Sequence, residues 1–170
     1  MDKQTQARFA DLLEANRRII FKVANTYCRN PADREDLPQD IVTQLWRAFP
    51  RFDSGRKFST WMYRIALNVA ISFVRSSSFR GQHTVPLDEA PQNVSSPTSR
   101  LGESDEKIRR LYEFIDQLDE LNRALALLYL DECSYRDIAD VLGITETNVA
   151  TKIGRLRQRL ARDLLAPNEK

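Results

Sequence analysis

The amino-acid sequence predicts an all-α protein built as two small helical domains joined by a flexible linker, and three observations carry that expectation. Apolar residues recur at three- and four-residue steps through most of the chain, the period of a helix with one buried face. The 170 residues contain only five glycines and no recurring run of alternating β-branched residues, so strands have little support. Between residues 77 and 104 the apolar period stops, and Gly81, Pro86, Pro91, Asn93, Pro97 and Gly102 supply turn formers instead. The predicted division is therefore a domain over residues 1–80, a linker over 81–105 and a second domain over 106–170.

The elements follow in order. From Phe9, the residues Leu12, Leu13, Ile19, Ile20, Val23 and Tyr27 predict one amphipathic helix that ends near Cys28, because Asn30-Pro31 signals a turn. Leu37, Ile41, Val42, Leu45, Trp46 and Phe49 predict a second, running out at Pro50. Asp36 is a suitable N-cap for it, which places Pro38 in the first turn, where its missing N–H costs nothing. A third helix is expected from about Ser59 to Ser76, with Trp61, Met62, Ile65, Val69 and Phe73 inward and Lys57, Arg64 and Arg75 facing solvent. Beyond the linker, Ile108, Leu111, Tyr112, Ile115 and Leu118 predict a fourth helix, and Leu121, Leu125, Leu128 and Leu130 a fifth. The remainder reads helix, tight turn, helix. Ser134 caps a short helix carrying Ile138, Ala139 and Leu142; Gly143 makes the turn; Thr145 caps a long helix with Val149, Ile153, Leu156 and Leu160 on one face.

Composition narrows the function. Cys28 and Cys133 lie about a hundred residues apart, neither a disulfide framework nor a metal-ligand spacing, and His83 is the only histidine. No metal, no other cofactor and no catalytic triad is expected. No stretch approaches the roughly 18 apolar residues of a membrane span, and no leader is evident, so a cytoplasmic protein without membrane insertion is expected. The formal charge of +2 conceals a partition: residues 1–80 hold 14 Lys/Arg against 8 Asp/Glu, whereas residues 81–119 hold 4 against 8. Within residues 145–162, Lys152, Arg155, Arg157, Arg159 and Arg162 face Glu146 alone. Two basic regions with an acidic stretch between them suggest a polyanion held at two places.

The most specific motif is Ser134 to Thr145, which has the spacing of a helix-turn-helix: Ala139 is small where two helices cross, and Gly143 can take a positive φ. The helix that follows offers Glu146, Thr147, Asn148, Thr151, Lys152 and Arg155 in its N-terminal half, the part that meets base edges, and distal arginines placed for phosphates. In the first domain, aromatic and basic residues interleave from Phe49 to Arg64, a mixture suited to stacking on unpaired bases while cations hold the backbone. There Phe58 and Trp61 are expected in the core, and Phe52, on a polar glycine-containing loop, is expected to be exposed.

Three segments, Asp33 to Asp40, Trp46 to Phe52 and Phe58 to Asn68, together resemble region 2 of the extracytoplasmic-function sigma factors, and Leu118 to Leu160 resembles their region 4. The resemblance covers roughly residues 7–80 and 106–163, in the family's order. It implies an alternative sigma factor that binds core RNA polymerase, directs promoter-specific initiation and catalyses nothing itself. It implies further that Asp36, Gln39 and Asp40 dock on the clamp helices of the largest polymerase subunit, with Pro38 standing where an aliphatic residue is usual. Phe52 and Asn68 match positions that take a base flipped from the minus-10 element, with Lys57 and Arg75 as further contacts. Thr147, Asn148, Thr151, Lys152, Arg155 and Arg159 are implied to face the minus-35 element, Ala150 standing where a basic residue is common. The family's habits add a contact between region 4 and the polymerase flap, an anti-sigma factor, and a monomer when free. A different class also fits part of the sequence: a stand-alone helix-turn-helix regulator binding duplex DNA as a dimer, for which the acidic motif at Asp36 would be idle. An enzyme acting on nucleic acid has only the Asp33–Asp40 carboxylates to offer.

Overall fold

The computed structural model describes residues 2–83 and 103–165, with side chains over 2–77 and 106–163. Among these residues there are eight α-helices, one 3₁₀ turn and no strand, so the chain is all-α as expected. It divides into two compact units, residues 1–88 and 89–170, each considered by itself below. At the ends of the expected linker, residues 81–83 and 103–105 are helical, and the rest of it lies outside the described residues.

The first unit comprises α1 (Lys3–Asn16), α2 (Arg18–Tyr27), α3 (Pro31–Ala48), a 3₁₀ turn (Phe49–Arg51) and α4 (Phe58–His83). The single helix expected from Phe9 to Cys28 is in fact two, broken at Arg17. Arg17 keeps a right-handed backbone, but its N–H donates to Glu14 O and its carbonyl accepts from Ile20, the tighter i→i+3 pattern that shifts the helical phase. A larger correction falls on α3. Asn30, not Asp36, is its N-cap: the Asn30 side chain accepts from Asp33 N–H, and Pro31 occupies the first position, where it lacks nothing. Asp36 is thus an exposed interior residue and Pro38 sits inside the helix. Having no N–H, Pro38 leaves the Arg34 carbonyl without its helical donor.

α4 packs on α2 and α3. Its buried face is Met62, Tyr63, Ala66, Leu67 and Ala70, whereas Trp61, Ile65, Val69 and Phe73, expected inward, are only half-buried. Ala66 and Ala70 have no exposed surface, and their small side chains let the facing helices come close. Around the 3₁₀ turn six aromatic rings form one cluster. Phe9 meets Trp46 and Phe49 edge-on at 5.1 and 5.0 Å, and Phe49 lies parallel to Phe52 at 5.8 Å. Phe58 and Trp61 close it at 5.4 and 4.9 Å from Phe52.

The second unit comprises α5 (Glu103–Asp116), α6 (Glu120–Leu130), α7 (Tyr135–Leu142) and α8 (Glu146–Leu165). Its core gathers Phe114, Ile115, Leu118, Ala124, Leu125, Leu128, Ile138, Val149 and Ile153. Four residues expected inward are exposed instead: Ile108 and Tyr112 on α5, Leu121 and Leu130 on α6. Arg123 of α6 donates to the carbonyls of Asp116 and Leu118, fastening the end of α5. Between α6 and α7, Glu132 takes a left-handed φ of 57° at a position where glycine is the usual helix terminator.

That geometry generates two expected outcomes. A left-handed conformation costs an L-residue about 1–2 kcal/mol, while glycine's extra freedom in the unfolded chain returns about 0.5–1 kcal/mol. Glu132→Gly should therefore stabilise the protein by roughly 0.5–1 kcal/mol, read as a higher thermal midpoint. An unchanged or lower midpoint would mean that the glutamate side chain compensates the strain. The second outcome concerns Cys28, whose thiol is pushed up to about 11 by burial and by the carboxylate of Asp33, against the opposing charge of Arg34. Because the folded value lies above the unfolded one, its stabilising contribution is complete below the ordinary thiol range and is lost as pH climbs through the folded value. At pH 8 an alkylating reagent should label the partly exposed Cys133 in the native protein and reach Cys28 only on unfolding.

Candidate nucleic-acid interface

Two surfaces of the first unit and one of the second hold the residues singled out by sequence. Asp36, Gln39 and Asp40 are all exposed, and their spacing of three and four residues puts them on one face of α3. Gln39 lends its backbone carbonyl to the Thr43 hydroxyl at 2.8 Å, leaving its side-chain amide to the surface. Between α3 and α4 runs an open groove of about 700 Å³, lined by Asp40, Gln44 and Ala48 on one side and by Ile65, Asn68, Val69, Ser72, Phe73 and Ser76 on the other. Asp40 and Asn68 therefore share a groove, a proximity that sequence spacing could not give.

Lys57, Asn68 and Arg75 are exposed, and Lys57 sits at the entry to α4, its carbonyl accepting from Trp61 N–H at 3.2 Å. At 3.6 residues per turn the steps of eleven and eighteen residues from Lys57 bring Asn68 and Arg75 to the same face. Arg64, seven residues on and also exposed, joins that row. It belongs with the candidate set although the sequence points only to its solvent exposure; the seven-residue step is the available signal. Since a helix rises 1.5 Å per residue, the row extends over roughly 27 Å, a track rather than a pocket. Phe52 does not meet the expectation of an exposed ring. It is half-buried, with Phe49 against one face and Phe58 perpendicular to it.

In the second unit the helix-turn-helix is built by its caps. Ser134 Oγ accepts from Asp137 N–H at 3.1 Å and donates to the Asp137 carboxylate at 2.8 Å, which starts α7. Gly143 ends it at φ 69°, with its N–H and that of Ile144 both donating to the Ala139 carbonyl. Thr145 Oγ1 then accepts from Asn148 N–H at 3.2 Å and starts α8. Val149 and Ile153 anchor α8 inward; Thr147, Asn148, Thr151 and Arg155 are exposed and Lys152 is half-buried. Arg159 is set apart from these: its guanidinium carbon lies 5.5 Å from the centre of the Phe114 ring, so the cation leans back toward α5.

Residues 12–80 match the Sigma-70 region 2 family, and residues 108–160 match the Sigma-70, region 4 family. The chain belongs to the sigma-70 family. Within that family it groups with the extracytoplasmic-function sigma factors: it is 27% identical to the ECF RNA polymerase sigma factor SigW of Bacillus subtilis (strain 168), over 95% of this chain and 91% of that protein. The fold agrees with two solved structures. One is CnrH in complex with the cytosolic domain of CnrY, with a TM-score of 0.69 and 23% identity over 96% of this chain and 91% of the other. The second is the sigma factor RpoE of Bartonella quintana in complex with the anti-sigma factor NepR, with a TM-score of 0.66 and 19% identity over 98% of this chain and 100% of the other. As a sigma factor of this group, the protein directs RNA polymerase in transcription initiation. Among the described residues no helix is long and apolar enough to cross a membrane.

The lean of Arg159 toward Phe114 is open to measurement. A cation over an aromatic face at an exposed site contributes about 0.5–1 kcal/mol. Arg159→Ala should destabilise the protein by that amount, and the loss should largely vanish in a Phe114→Leu background. Equal losses in both backgrounds would show that the ring does not hold the cation.

Proposed function

We propose that this sigma factor docks on core RNA polymerase through the exposed face of α3 and reads the promoter with α4 and α8. The observation that carries the reading is the presence, within one unit, of an acidic α3 face and a basic α4 row, whose members Asp40 and Asn68 line a common groove. A protein that binds duplex DNA alone has no use for the acidic face. In this assignment residues 1–80 form the region 2 domain, with Asp36, Gln39 and Asp40 against the clamp helices of the largest subunit. Lys57, Arg64, Asn68 and Arg75 track the minus-10 strand. Residues 81–105 are the connector, and residues 106–170 form the region 4 domain.

On α8, Thr147, Asn148, Thr151, Lys152 and Arg155 meet the minus-35 element, and Arg159 contributes a phosphate contact from the flank. The exposed Tyr129 and Leu130 border a small apolar cleft between α5, α6 and α8, which supports a contact of region 4 with the polymerase flap. The chain is not itself an enzyme, acts in the cytoplasm without cofactor, is monomeric when free, and is held inactive by an anti-sigma factor. The last point is supported by the NepR complex of the Bartonella protein.

Phe52 has a place in this scheme that its packing modifies. Held between Phe49, Phe58 and Trp61, it acts as a fixed wall of the base pocket rather than a mobile clamp. Capturing an extruded base offsets the few kcal/mol lost on unstacking.

Reversing charge in the double variant Asp36→Lys, Asp40→Lys should weaken core-polymerase binding at least about tenfold, equivalent to about 1.4 kcal/mol. The fold should be left intact, because both side chains are exposed. A pull-down with core enzyme in which the reversed protein binds undiminished would rule this face out. Asn68→Ala should slow open-complex formation on duplex promoters more than on templates already melted around the minus-10 element. Asn68 is the cleaner probe, since truncating Phe52 would also open a cavity among the rings. Equal defects on both templates would assign Asn68 to packing.

A further inference from the structure

Phe21 is the most exposed large apolar side chain among the described residues of the first unit, with 57% of its surface open to solvent. It stands on α2, whose opposite face, Ile19, Ile20, Val23, Ala24 and Tyr27, is buried in the core. A single apolar ring at the surface is ordinary; its neighbours set this one apart. The exposed residues of α2 are Arg18, Phe21, Lys22 and Asn25, and their steps of three and four put them on one side of the helix. From residue 15 to residue 32 the sequence holds Arg17, Arg18, Lys22 and Arg29 and no carboxylate. Of the acidic residues that bracket this stretch, Glu14 lies 3.2 Å from Arg17, which is set aside for that reason, and Asp33 accepts from the Asn30 side chain.

The face therefore offers one ring, one amide and two cations, and its charge calls for a polyanion. A protein partner that buried Phe21 would need apolar surface around it, but the residues beside it on this face are Arg18, Lys22 and Asn25. An anionic membrane would meet the cations, yet one ring is too little apolar area to insert. Duplex DNA would meet them as well and leave the ring idle, since its bases are stacked on each other. A single strand uses all four side chains: an unstacked base lies on the ring, the cations follow the phosphates, and the amide reaches a base edge or a phosphate oxygen.

We infer that the outer face of α2 is a second binding surface for the melted promoter, on which Phe21 stacks with a base of single-stranded DNA while Arg18 and Lys22 hold the flanking phosphates. The inference rests on the reading of the first unit as the domain that engages the melted minus-10 element. It gives the separated strand a contact in addition to the α4 row, one that forms only after the bases have come apart.

The test uses holoenzyme assembled from the full chain and core polymerase, with two forms of one promoter: fully paired and held closed at low temperature, or carrying a single-stranded non-template segment through and beyond the minus-10 element. Phe21→Ala should bind the single-stranded form about tenfold more weakly, the loss of one stacked base, and the paired form as wild type does. Phe21→Trp should keep wild-type binding of both, because an aromatic face is what the base requires. The double variant Arg18→Gln, Lys22→Gln should lower the salt slope on the single-stranded form by about 1.4, two phosphate contacts at about 0.7 each. Phe21→p-benzoylphenylalanine should crosslink to the single-stranded segment under near-ultraviolet light and not to the paired promoter. All these side chains are exposed, so the fold and core-polymerase binding should be unchanged. Undiminished binding of the single-stranded form by Phe21→Ala would overturn the inference, as would equal losses on both forms or a defect traced to weaker core binding, which would give the face to the polymerase. Asn68→Ala, run alongside, separates the two levels. If it slows opening while the α2 variants behave as wild type, only the role of α2 fails; if neither has an effect, the placement of the first unit on the minus-10 element fails as well.

Discussion

Each α-helix begins with N–H groups that have no partner inside the helix, and the way this chain satisfies them sets where its functional faces lie. Asn30, Asp119, Ser134 and Thr145 each turn a side-chain oxygen onto an N–H three residues ahead. Each cap fixes the residue at which helical phase starts, and phase decides which side chains face the core. Moving the start of α8 by one residue would turn its outward row by about 100° and bury Thr151 or Arg155. The same holds for α3, where the Asn30 cap brings Asp36, Gln39 and Asp40 to the surface together. At Asp119, burial pushes the carboxyl up, yet the N–H groups it accepts from Asn122 and Leu121 hold it below its ordinary value. The cap is thereby kept ionised.

Caps also explain which parts of the fold are legible in the sequence. The helix-turn-helix can be read because its boundaries are chemical: Ser134, Gly143 and Thr145 each have a local job that no other residue nearby could do. The start of α3 offers two chemically plausible caps, Asn30 and Asp36. The structure takes Asn30 with Pro31 behind it, accepting Pro38 in the interior for nearly two further turns of helix; none of residues 31–36 is buried, and the core begins at Leu37. The misreadings along α4 have another origin. Large apolar residues are expected to face inward, but Ala66 and Ala70 take the closest contact because they are small, and Ile65, Val69 and Phe73 are displaced to the groove. On α5 and α6, periodicity locates the helices but does not show that Ile108, Tyr112, Leu121 and Leu130 lie at the edge of the buried face, where they stay exposed.

Of the candidate site, the sequence offers a set of polar residues but not their arrangement. That Asp40 and Asn68 line one groove depends on the crossing of α3 and α4, which no local pattern encodes. Phe52 shows the same limit from the other side. A polar, glycine-containing loop suggests exposure, but the rings of Phe49, Phe58 and Trp61 flank that loop on both sides and close on it only in the fold.

Pro38 gives α3 a property beyond its shape. The ladder is interrupted between Arg34 and Pro38, directly beneath the acidic face, so the first two turns are tied to the rest by one bond fewer than in an ordinary helix. What the ladder lacks there is supplied from outside the helix: Leu37, beside the break, is fully buried, Arg34 donates from Nε to the Cys28 carbonyl at 3.0 Å, and Ile41 and Leu45 hold the remaining turns in the core. The rigidity of this stretch of α3 is therefore borrowed from the packing around it, so loosening the core at Leu37 would soften the surface above it as well.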